Sequence, residues 1–248
     1  MFRPRVALAS LSGEADADWA RAVADHVGGA FLGGIALDDA TRAAARAMTD
    51  RDRSEFLPED PIAFVDTQLE ALAEAPLRGA FNVRSTTLGP IELAAGVCRD
   101  HGAVLELNAH CRQDEMCTAG AGETLLRDPE ALAQQVRTAA ATGATVSVKV
   151  RAEVDSVDLP GLAQRLETAG ADAVHVDAMD TESVIADIAA ATDLFVVANN
   201  GVRGSRTARE YFEYGADAVS VGRASDDPDV LAAVRQTAED YVAQEATG

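Results

Sequence analysis

The segments 168–177, TAGADAVHVD, and 213–222, EYGADAVSVG, are near copies of each other whose starts lie 45 residues apart. Each has the pattern of a helix end, a glycine that terminates the helix, and an apolar strand. Repetition of a helix–strand unit is typical of a barrel built from equivalent β/α units. The repeat therefore predicts that Ala173–Asp177 and Ala218–Val221 are two strands of one such barrel.

The remainder of the chain alternates in the same way between short apolar runs and alanine-rich helical patterns. Further strands are predicted at Val6–Ala9, Ala30–Gly34, Gly79–Val83, Val104–Asn108, Thr145–Val150 and Leu194–Asn199. Nearly continuous hydrophobic runs are typical of strands that are buried on both faces. Eight such units in 248 residues predict a single (β/α)8 TIM barrel domain spanning residues 1–248. A doubly wound open sheet is the alternative, but no G-x-G-x-x-G follows the first strand.

Helical patterns separate these strands and follow the last one. They lie at Asp16–His26, Asp60–Ala75, Pro90–His101, Pro129–Thr142, Leu159–Ala169, Thr181–Ala191, Arg206–Tyr214 and Asp227–Gln244. The least regular stretch is Ala36–Glu59, which contains the charged sequence TDRDRSEF. Its mixed pattern predicts an elaborated loop or short helices after the second strand.

The charge of the chain is strongly unbalanced, since 41 acidic residues oppose 21 basic ones and give a net charge of −20. Lys149 is the only lysine. We interpret this composition as that of a salt-adapted, halophilic protein; an ordinary acidic protein from a GC-rich genome is the alternative. Such a charge repels nucleic acid at low ionic strength. At about 1 M salt the Debye length falls to about 3 Å, so a local basic patch could still bind.

Three cysteines, Cys98, Cys111 and Cys117, show no metal-binding spacing such as C-x-x-C. The N-terminus lacks the long apolar region of a secretory signal peptide. We therefore expect reduced thiols, a cytoplasmic location and no metal site.

No run of about 18 apolar residues occurs, so we expect no membrane association. The sequence leaves the oligomeric state open.

Active sites of such barrels lie at the carboxyl ends of the strands, where Lys149 is the most informative residue. It interrupts the apolar alternation of VSVKVR and retains a lysine where the composition otherwise uses arginine. We interpret it as a cation that a rigid strand aims at a ligand, at a position that an arginine fork would not fit. The alternative is a lysine neutralised by a neighbouring carboxylate.

The loops after the seventh and eighth strands, NNGVRGSRTA (199–208) and VGRASDD (221–227), have the composition of a phosphate site. Glycines let the backbone approach an anion, the amides of a following helix favour it, and Arg223 adds positive charge. These loops form the usual phosphate site of TIM barrels. Two ordinary turns between helices and strands are the alternative.

Cys111 lies three residues beyond Asn108, at the end of the fourth strand. A thiol placed there could act as an acid, a base or a nucleophile. The alternative is a small buried hydrophobic residue, and the spacing does not choose between the two.

Together these motifs resemble the dihydrouridine synthase family. NAHCRQDEMCTAGAGETLLRDP (108–129) is similar to its signature of an Asn, a Cys three residues later, Gly-Ala-Gly, Leu-Leu and Asp-Pro. VSVKVR (146–151) resembles its strand-5 Val-Lys-Ile/Val-Arg, and LASLSGEAD (8–16) its opening Leu-Ala-Pro-Met-Ala-Gly-x-x-Asp. VVANNGV and GADAVSVGRA resemble its two phosphate loops. The resemblance covers nearly the whole chain.

The resemblance implies FMN across the barrel mouth and a uracil ring as the substrate, in tRNA or in a small pyrimidine. NAD(P)H is a candidate electron donor, and the sequence leaves the identity of the donor open. Reduced flavin would give a hydride to C6 of that ring, and Cys111 would protonate C5. The implied cofactor-binding residues are Ser10, Leu11, Asn82, Asn108, Lys149, Asn199, Asn200, Gly201, Gly222 and Arg223.

The sequence also departs from the family pattern. Asn82 stands in place of a glutamine, His110-Cys111-Arg112 replaces Gly-Cys-Pro, and Asp177 stands at the histidine of His-Gly-Arg-Thr. The chain ends soon after the last barrel helix, so we expect a short form without the C-terminal helical domain that grips tRNA. Two other functions stay open. ELNAHC also resembles the Glu-Leu-Asn-x-x-Cys of dihydroorotate dehydrogenases, and the barrel could bind flavin or phosphate without catalysis.

Overall fold

Eight parallel strands close into a barrel in chain order, β1 to β8, in the computed structural model, which describes residues 1–245. The strands are β1 Val6–Leu8, β2 Gly29–Ala36, β3 Arg78–Arg84, β4 Val104–Asn108, β5 Thr145–Arg151, β6 Ala173–Asp177, β7 Phe195–Asn199 and β8 Ala218–Val221. The last strand pairs with the first, with Val6 opposite Val219. The predicted TIM barrel is confirmed.

Helices pack around the outside of this barrel. They are α1 Ala17–Ala22, α2 Asp39–Thr49, α3 Pro61–Glu70, α4 Leu88–Asp100, α5 Asp114–Thr118, α6 Pro129–Ala140, α7 Leu159–Ala169, α8 Val184–Ala191, α9 Ser205–Glu213 and α10 Pro228–Glu245. Short 3-10 helices lie at Ala24–His26, Gly122–Arg127 and Arg223–Asp226. Several helices begin where sequence signals place them: an aspartate cap and a proline start α3, α6 and α7.

The stretch predicted to be irregular contains one well-formed helix, α2, which begins at Asp39. Asp38 caps it by accepting a hydrogen bond from the Thr41 amide at 2.9 Å. Its buried face consists of Thr41, Ala44, Ala45 and Met48. Only one of these four side chains is large and apolar, so the sequence gives little sign of a core-facing helix. Strand β2 also runs two residues beyond its predicted end at Gly34, to Ala36.

The inside of the barrel has two zones of different chemistry. Toward the N-terminal ends of the strands, an apolar cluster fills the barrel with Phe2, Ala7, Phe31, Ala80, Val104, Val197 and Ala218. Toward the C-terminal ends, the strand register places Asn82 beside Glu106 and Asn108 beside Lys149. Interiors of TIM barrels are usually filled with bulky apolar residues, so a polar upper zone marks the end at which a ligand would bind.

None of the helices within residues 1–245 is both long and apolar enough to cross a lipid bilayer.

Candidate active site

Polar side chains occupy the upper zone of the barrel and are at most 1% exposed to solvent. They are Asn82, Glu106, Ser147, Lys149, His175 and Ser220. Buried polar groups are costly unless they are hydrogen-bonded, so their partners define the geometry of the site. The sequence predicted roles for Asn82 and Lys149; the structure adds His175, which faces into the barrel.

Glu106 lies at the centre of this group. Its Oε1 accepts a hydrogen bond from Asn82 Nδ2 at 2.7 Å, and its Oε2 lies 2.6 Å from His175 Nδ1. The other ring nitrogen of His175 lies 2.7 Å from Ser220 Oγ. Burial raises the pKa of Glu106, but His175, then Lys149 and the Asn82 amide, outweigh burial and leave that pKa below its ordinary value. The carboxylate is therefore ionised in the barrel centre.

Lys149 projects toward the end of β1, where its Nζ lies 3.5 Å from Ser10 Oγ. Burial lowers the pKa of this lysine, while the carboxylates of Glu106 and Asp177 act in the opposite direction. The sequence offered a ligand-directed cation and a lysine neutralised by a carboxylate as alternatives. The structure has features of both alternatives, because Glu106 and Asp177 oppose the effect of burial on the Lys149 pKa, and Nζ lies beside the predicted flavin-binding residue Ser10.

Cys111 lies on the loop after β4 and is half-buried. Its backbone amide donates to Asn108 Oδ1 at 3.1 Å, and its carbonyl accepts from the Glu123 amide at 2.9 Å. Gly122, which has φ +63°, packs so closely that a Cβ there would lie 2.2 Å from the Cys111 carbonyl oxygen. The glycine of the Gly-Ala-Gly motif thus serves to seat the cysteine loop.

His110 and Arg112 flank this cysteine and differ in their environments. Burial, followed by repulsion from Lys149, holds the pKa of His110 well below its ordinary value, so its imidazole is neutral near pH 7. Arg112 is exposed on the loop surface. The sequence neighbours of Cys111 are therefore a neutral ring and a solvated cation, and the buried Arg84 also interacts with Cys111 electrostatically.

The loops after β7 and β8 meet at one side of the barrel mouth. Asn199 Nδ2 donates to the Ser220 carbonyl at 3.2 Å, and Asn200 Nδ2 donates to Asp177 Oδ1 at 2.8 Å. Around Gly201 and Gly222 the space is open, since a Cβ at either would meet no atom within 4 Å. These features leave backbone amides accessible to an anion. Arg223 is exposed at the start of the 3-10 helix that follows.

A segment that we call the strap, residues 51–59, lies against the β1 and β4 sides of the same mouth. Its Glu55 pairs with Arg84 at 2.7 Å, and both side chains are at most 2% exposed. Arg84 also donates to Ser12, in the loop after β1. At its other end Arg51 pairs with Glu115 of α5 at 2.6 Å. The strap thus connects the loop after β1 to the cysteine side of the site, a feature that the sequence prediction missed.

The strap also packs on the loop after β1, while Lys149 and Asn108 are almost fully buried at the C-terminal end of the barrel. Backbone atoms of Ser54 and Glu55 pack on Gly13, where a Cβ would meet them at 2.6 Å. Two surface pockets lie away from the mouth, one on α9 and one beside α1 and α3. Lys149 is 1% exposed, so direct contact between its amino group and a planar ring requires that neighbouring groups move.

A family model for dihydrouridine synthase (Dus) matches residues 91–247, which is more than half of the chain. The chain belongs to the dihydrouridine synthase family. tRNA-dihydrouridine synthase B of Xanthomonas axonopodis pv. citri is 30% identical over 242 residues, which cover 90% of this chain and 66% of that protein. An uncharacterized protein of Methanocaldococcus jannaschii is 27% identical over 232 residues, or 88% of each protein. The chain thus spans about two thirds of the length of the curated synthase.

Two solved structures share the barrel fold of this dihydrouridine synthase family member. DHODH from Eimeria tenella, solved with ferulenol, superimposes with a TM-score of 0.71 at 13% identity over 98% of this chain and 82% of that one. 3-Hexulose-6-phosphate synthase from Salmonella typhimurium gives a TM-score of 0.59 at 16% identity over 96% and 99%. The family assignment confirms the predicted class, a flavin-dependent oxidoreductase.

The residues present suit FMN at both of its ends. At the phosphate end, Gly201 and Gly222 leave an open cradle that a Cβ would fill. At the ring end, Asn82, Asn108 and Lys149 supply neutral and cationic donors in a buried setting. Donors of this kind match the carbonyl and nitrogen edge of an isoalloxazine ring. The individual binding roles of these residues, and of Ser10, Leu11, Asn199, Asn200 and Arg223, stay predictions.

Proposed function

We propose that the protein is an FMN-dependent reductase of the C5–C6 double bond of a uracil ring. The observation that carries the proposal is the arrangement of Lys149, Asn108 and Cys111 at one end of a barrel that matches the dihydrouridine synthase family. Lys149 and Asn108 are register partners on β5 and β4, and the Cys111 amide bonds to Asn108. A cation, an amide and a thiol thus share one small region.

FMN, once reduced by a donor such as NAD(P)H, would supply the hydride that C6 of the ring receives. The chain's own part is to hold and orient the groups around it. Lys149, whose pKa is lowered by burial while Glu106 and Asp177 act in the opposite direction, would stabilise negative charge on the ring edge. The open glycines at Gly201 and Gly222, together with Arg223, hold the phosphate. The strap excludes water from the chemistry.

Cys111 completes the reaction by donating its Sγ proton to C5 as C6 receives the hydride, so the ring gains one hydride and one proton. The half-buried position of the thiol lets solvent return the proton afterwards. Hydrogen bonds from the Cys111 amide to Asn108 and from the Glu123 amide to the Cys111 carbonyl hold this loop in place. A general acid in such a position contributes about 10²- to 10⁴-fold to the rate.

The uracil ring lies either in tRNA or in a small pyrimidine. The relatives named tRNA-dihydrouridine synthase B favour tRNA. The net charge of −20 opposes it at low salt but not in a salt-rich cytoplasm, where we place the protein on the basis of its composition and three free thiols. Exposed Arg112 and Arg223 at the mouth are suited to contact phosphates.

A dihydroorotate-dehydrogenase-like reaction is the second candidate, favoured by the sequence ELNAHC at the end of β4. It uses the same flavin and the same thiol on a different pyrimidine. A barrel that binds flavin without catalysis is the third, and it is favoured by the nearly complete burial of Lys149.

One experiment separates these candidates. Purified protein in high salt is given FMN and NADPH with an unmodified tRNA transcript, with free uridine monophosphate, or with dihydroorotate and a dye acceptor. Mass spectrometry of the nucleosides and absorbance of the dye report the products. We expect dihydrouridine in the tRNA. Dye reduction by dihydroorotate without dihydrouridine would select the second candidate, and no turnover of any substrate by flavin-loaded protein would contradict the proposed function.

A further inference from the structure

A continuous chain of buried hydrogen bonds runs from Glu106 to the cysteine loop. Glu106 Oε1 accepts from Asn82 Nδ2 at 2.7 Å, and Asn82 Oδ1 accepts from Asn108 Nδ2 at 2.8 Å. Asn108 Oδ1 then accepts from the Cys111 amide at 3.1 Å and from the His110 amide at 3.3 Å. The chain therefore connects the barrel centre to the backbone that carries the thiol.

The direction of this chain is set at its buried end. An ionised carboxylate can only accept hydrogen bonds, so Asn82 must turn its NH₂ group toward Glu106 and its oxygen toward Asn108. Asn108 must then turn its NH₂ group toward Asn82 and its oxygen toward the cysteine loop. Reversal of either amide would set donor against donor or acceptor against acceptor in a place that water does not reach.

Glu106 is itself held on its other side. His175 Nδ1 lies 2.6 Å from Glu106 Oε2, which requires that this nitrogen carry the proton, and Nε2 then accepts from Ser220. Phe31 packs against the His175 ring with a centroid distance of 4.7 Å. The carboxylate thus has a fixed position as well as a fixed charge.

We propose that Glu106 is a positioning residue for the thiol, acting through Asn82 and Asn108 to hold the Cys111 backbone in place. It does not touch the substrate or the flavin. The role of the Cys111 thiol as a proton donor rests on the proposed function. The position of its loop does not, because it depends only on the hydrogen bonds within the protein. A neutral residue of the same shape at position 106 would let both amides turn over and would release the Cys111 and His110 amides.

The test measures the rate at which iodoacetamide alkylates Cys111 in the full-length protein, by mass spectrometry of the peptide. The proteins compared are the wild type, Glu106→Gln, Asn108→Ala and the double variant. We expect each single variant to raise the rate of Cys111 alkylation about three- to tenfold, because loss of one such hydrogen bond makes opening of the loop more frequent by about that factor. The double variant should react no faster than the faster single variant, because Glu106 acts through Asn108.

Cys98 provides an internal control in every sample. Burial raises the pKa of its thiol to about 12, so it stays unreactive unless the protein unfolds. Ser147→Ala is the matched control variant, since Ser147 contacts Glu106 Oε2 at 3.4 Å but lies outside the chain to Cys111. We expect it to react at the wild-type rate.

Each rate is measured with and without added FMN, which separates shielding by flavin from loosening of the loop. FMN that neither binds nor shields any variant would count against the proposed function and would leave the comparison among variants intact. A wild-type rate in Glu106→Gln with Cys98 protected, or additive effects in the double variant, would overturn the positioning role. If Glu106→Gln exposes Cys98, Asn82→Ala interrupts the same chain without removing the charge, and a wild-type rate there would equally overturn it.

Discussion

Asp38 connects two loops of the barrel through one carboxylate. It caps α2 by accepting from the Thr41 amide and hydroxyl, and its other oxygen accepts from Ser85 and from the amides of Thr86 and Thr87. Burial opposes its ionisation, but the hydrogen bonds from Thr41 and Thr86 outweigh burial and hold the pKa of Asp38 well below its ordinary value. Because folding lowers this pKa, the ionised carboxylate stabilises the fold fully at pH values above its ordinary pKa, near 4. The stabilisation is lost as the pH falls below that value.

We therefore expect Asp38→Asn to lower the free energy of unfolding by about 2 kcal/mol at pH 7, as loss of a cap and of buried hydrogen bonds does. The difference from the wild type should shrink as the pH falls below about 4. Asp39→Asn, at the exposed neighbouring position, is the control and should have little effect. Chemical denaturation across pH checks this, and a difference that does not shrink between pH 4 and pH 2 would show that the charge is not involved.

Cys111 is the residue that carries the proton in the proposed reaction. We expect Cys111→Ala to lower turnover about 10²- to 10⁴-fold while the flavin content stays unchanged. Cys117→Ala is the control, because that thiol lies on α5, donates to the Cys111 carbonyl at 3.5 Å and has no part in the proposed proton transfer. Steady-state kinetics with the substrate identified above checks this. Wild-type turnover in Cys111→Ala would remove the thiol from the mechanism.

Sequence identified the residues at the strand ends but not the contacts between strands. Lys149 and Asn108 were predictable, because each interrupts or ends an apolar run at a known end of the barrel. The partners of Glu106 were not, since Asn82 and His175 lie 24 and 69 residues away along the chain. Which inward residues meet across a barrel depends on strand register, and a single sequence does not specify register.

At the scale of elements, the strap and the two phosphate loops restrict the site in different ways. The turns after β7 and β8 were predictable because glycine and asparagine are typical turn residues, whereas the role of these loops in phosphate binding stays a prediction. The strap was not, because its charged sequence is typical of a solvated loop. Only the fold brings Glu55 to Arg84, where each side chain keeps one buried atom, Oε1 and Nε respectively, without a hydrogen-bond partner.

The strap should control entry of the flavin ring. We expect Glu55→Gln to raise the association rate constant of FMN several-fold and to lower the free energy of unfolding by about 3 kcal/mol, since it leaves Arg84 buried and unpaired. Arg51→Ala, which removes an ion pair whose arginine is 54% exposed, is the matched control and should cost less than about 1 kcal/mol. Stopped-flow quenching of flavin fluorescence measures the rate. Equal rates in the wild type and Glu55→Gln would mean that the strap does not gate the site.

At the scale of the whole molecule, the net charge of −20 determines how stability depends on salt and pH, but it does not determine the fold. The barrel itself follows from the repeated β/α units. Repulsion among so many carboxylates opposes the compact state, and salt screens it. We expect the melting temperature at pH 7 to rise steadily as NaCl is increased from about 0.1 to 2 M. Near the isoelectric point of about 4.4 the same series should show little dependence. Scanning calorimetry checks both, and a flat response at pH 7 would contradict the salt-adapted interpretation.

Binding of FMN beside Lys149 is the condition on which every enzymatic proposal for this molecule depends. The decisive measurement is the visible absorbance spectrum and FMN dissociation constant of the protein purified in high salt, compared with Lys149→Ala. We predict a flavin spectrum with one FMN per chain, and an affinity reduced about 10- to 100-fold in Lys149→Ala, as loss of a charged hydrogen bond would give. A colourless wild-type protein that takes up no added FMN, or equal affinity in the two proteins, would contradict it.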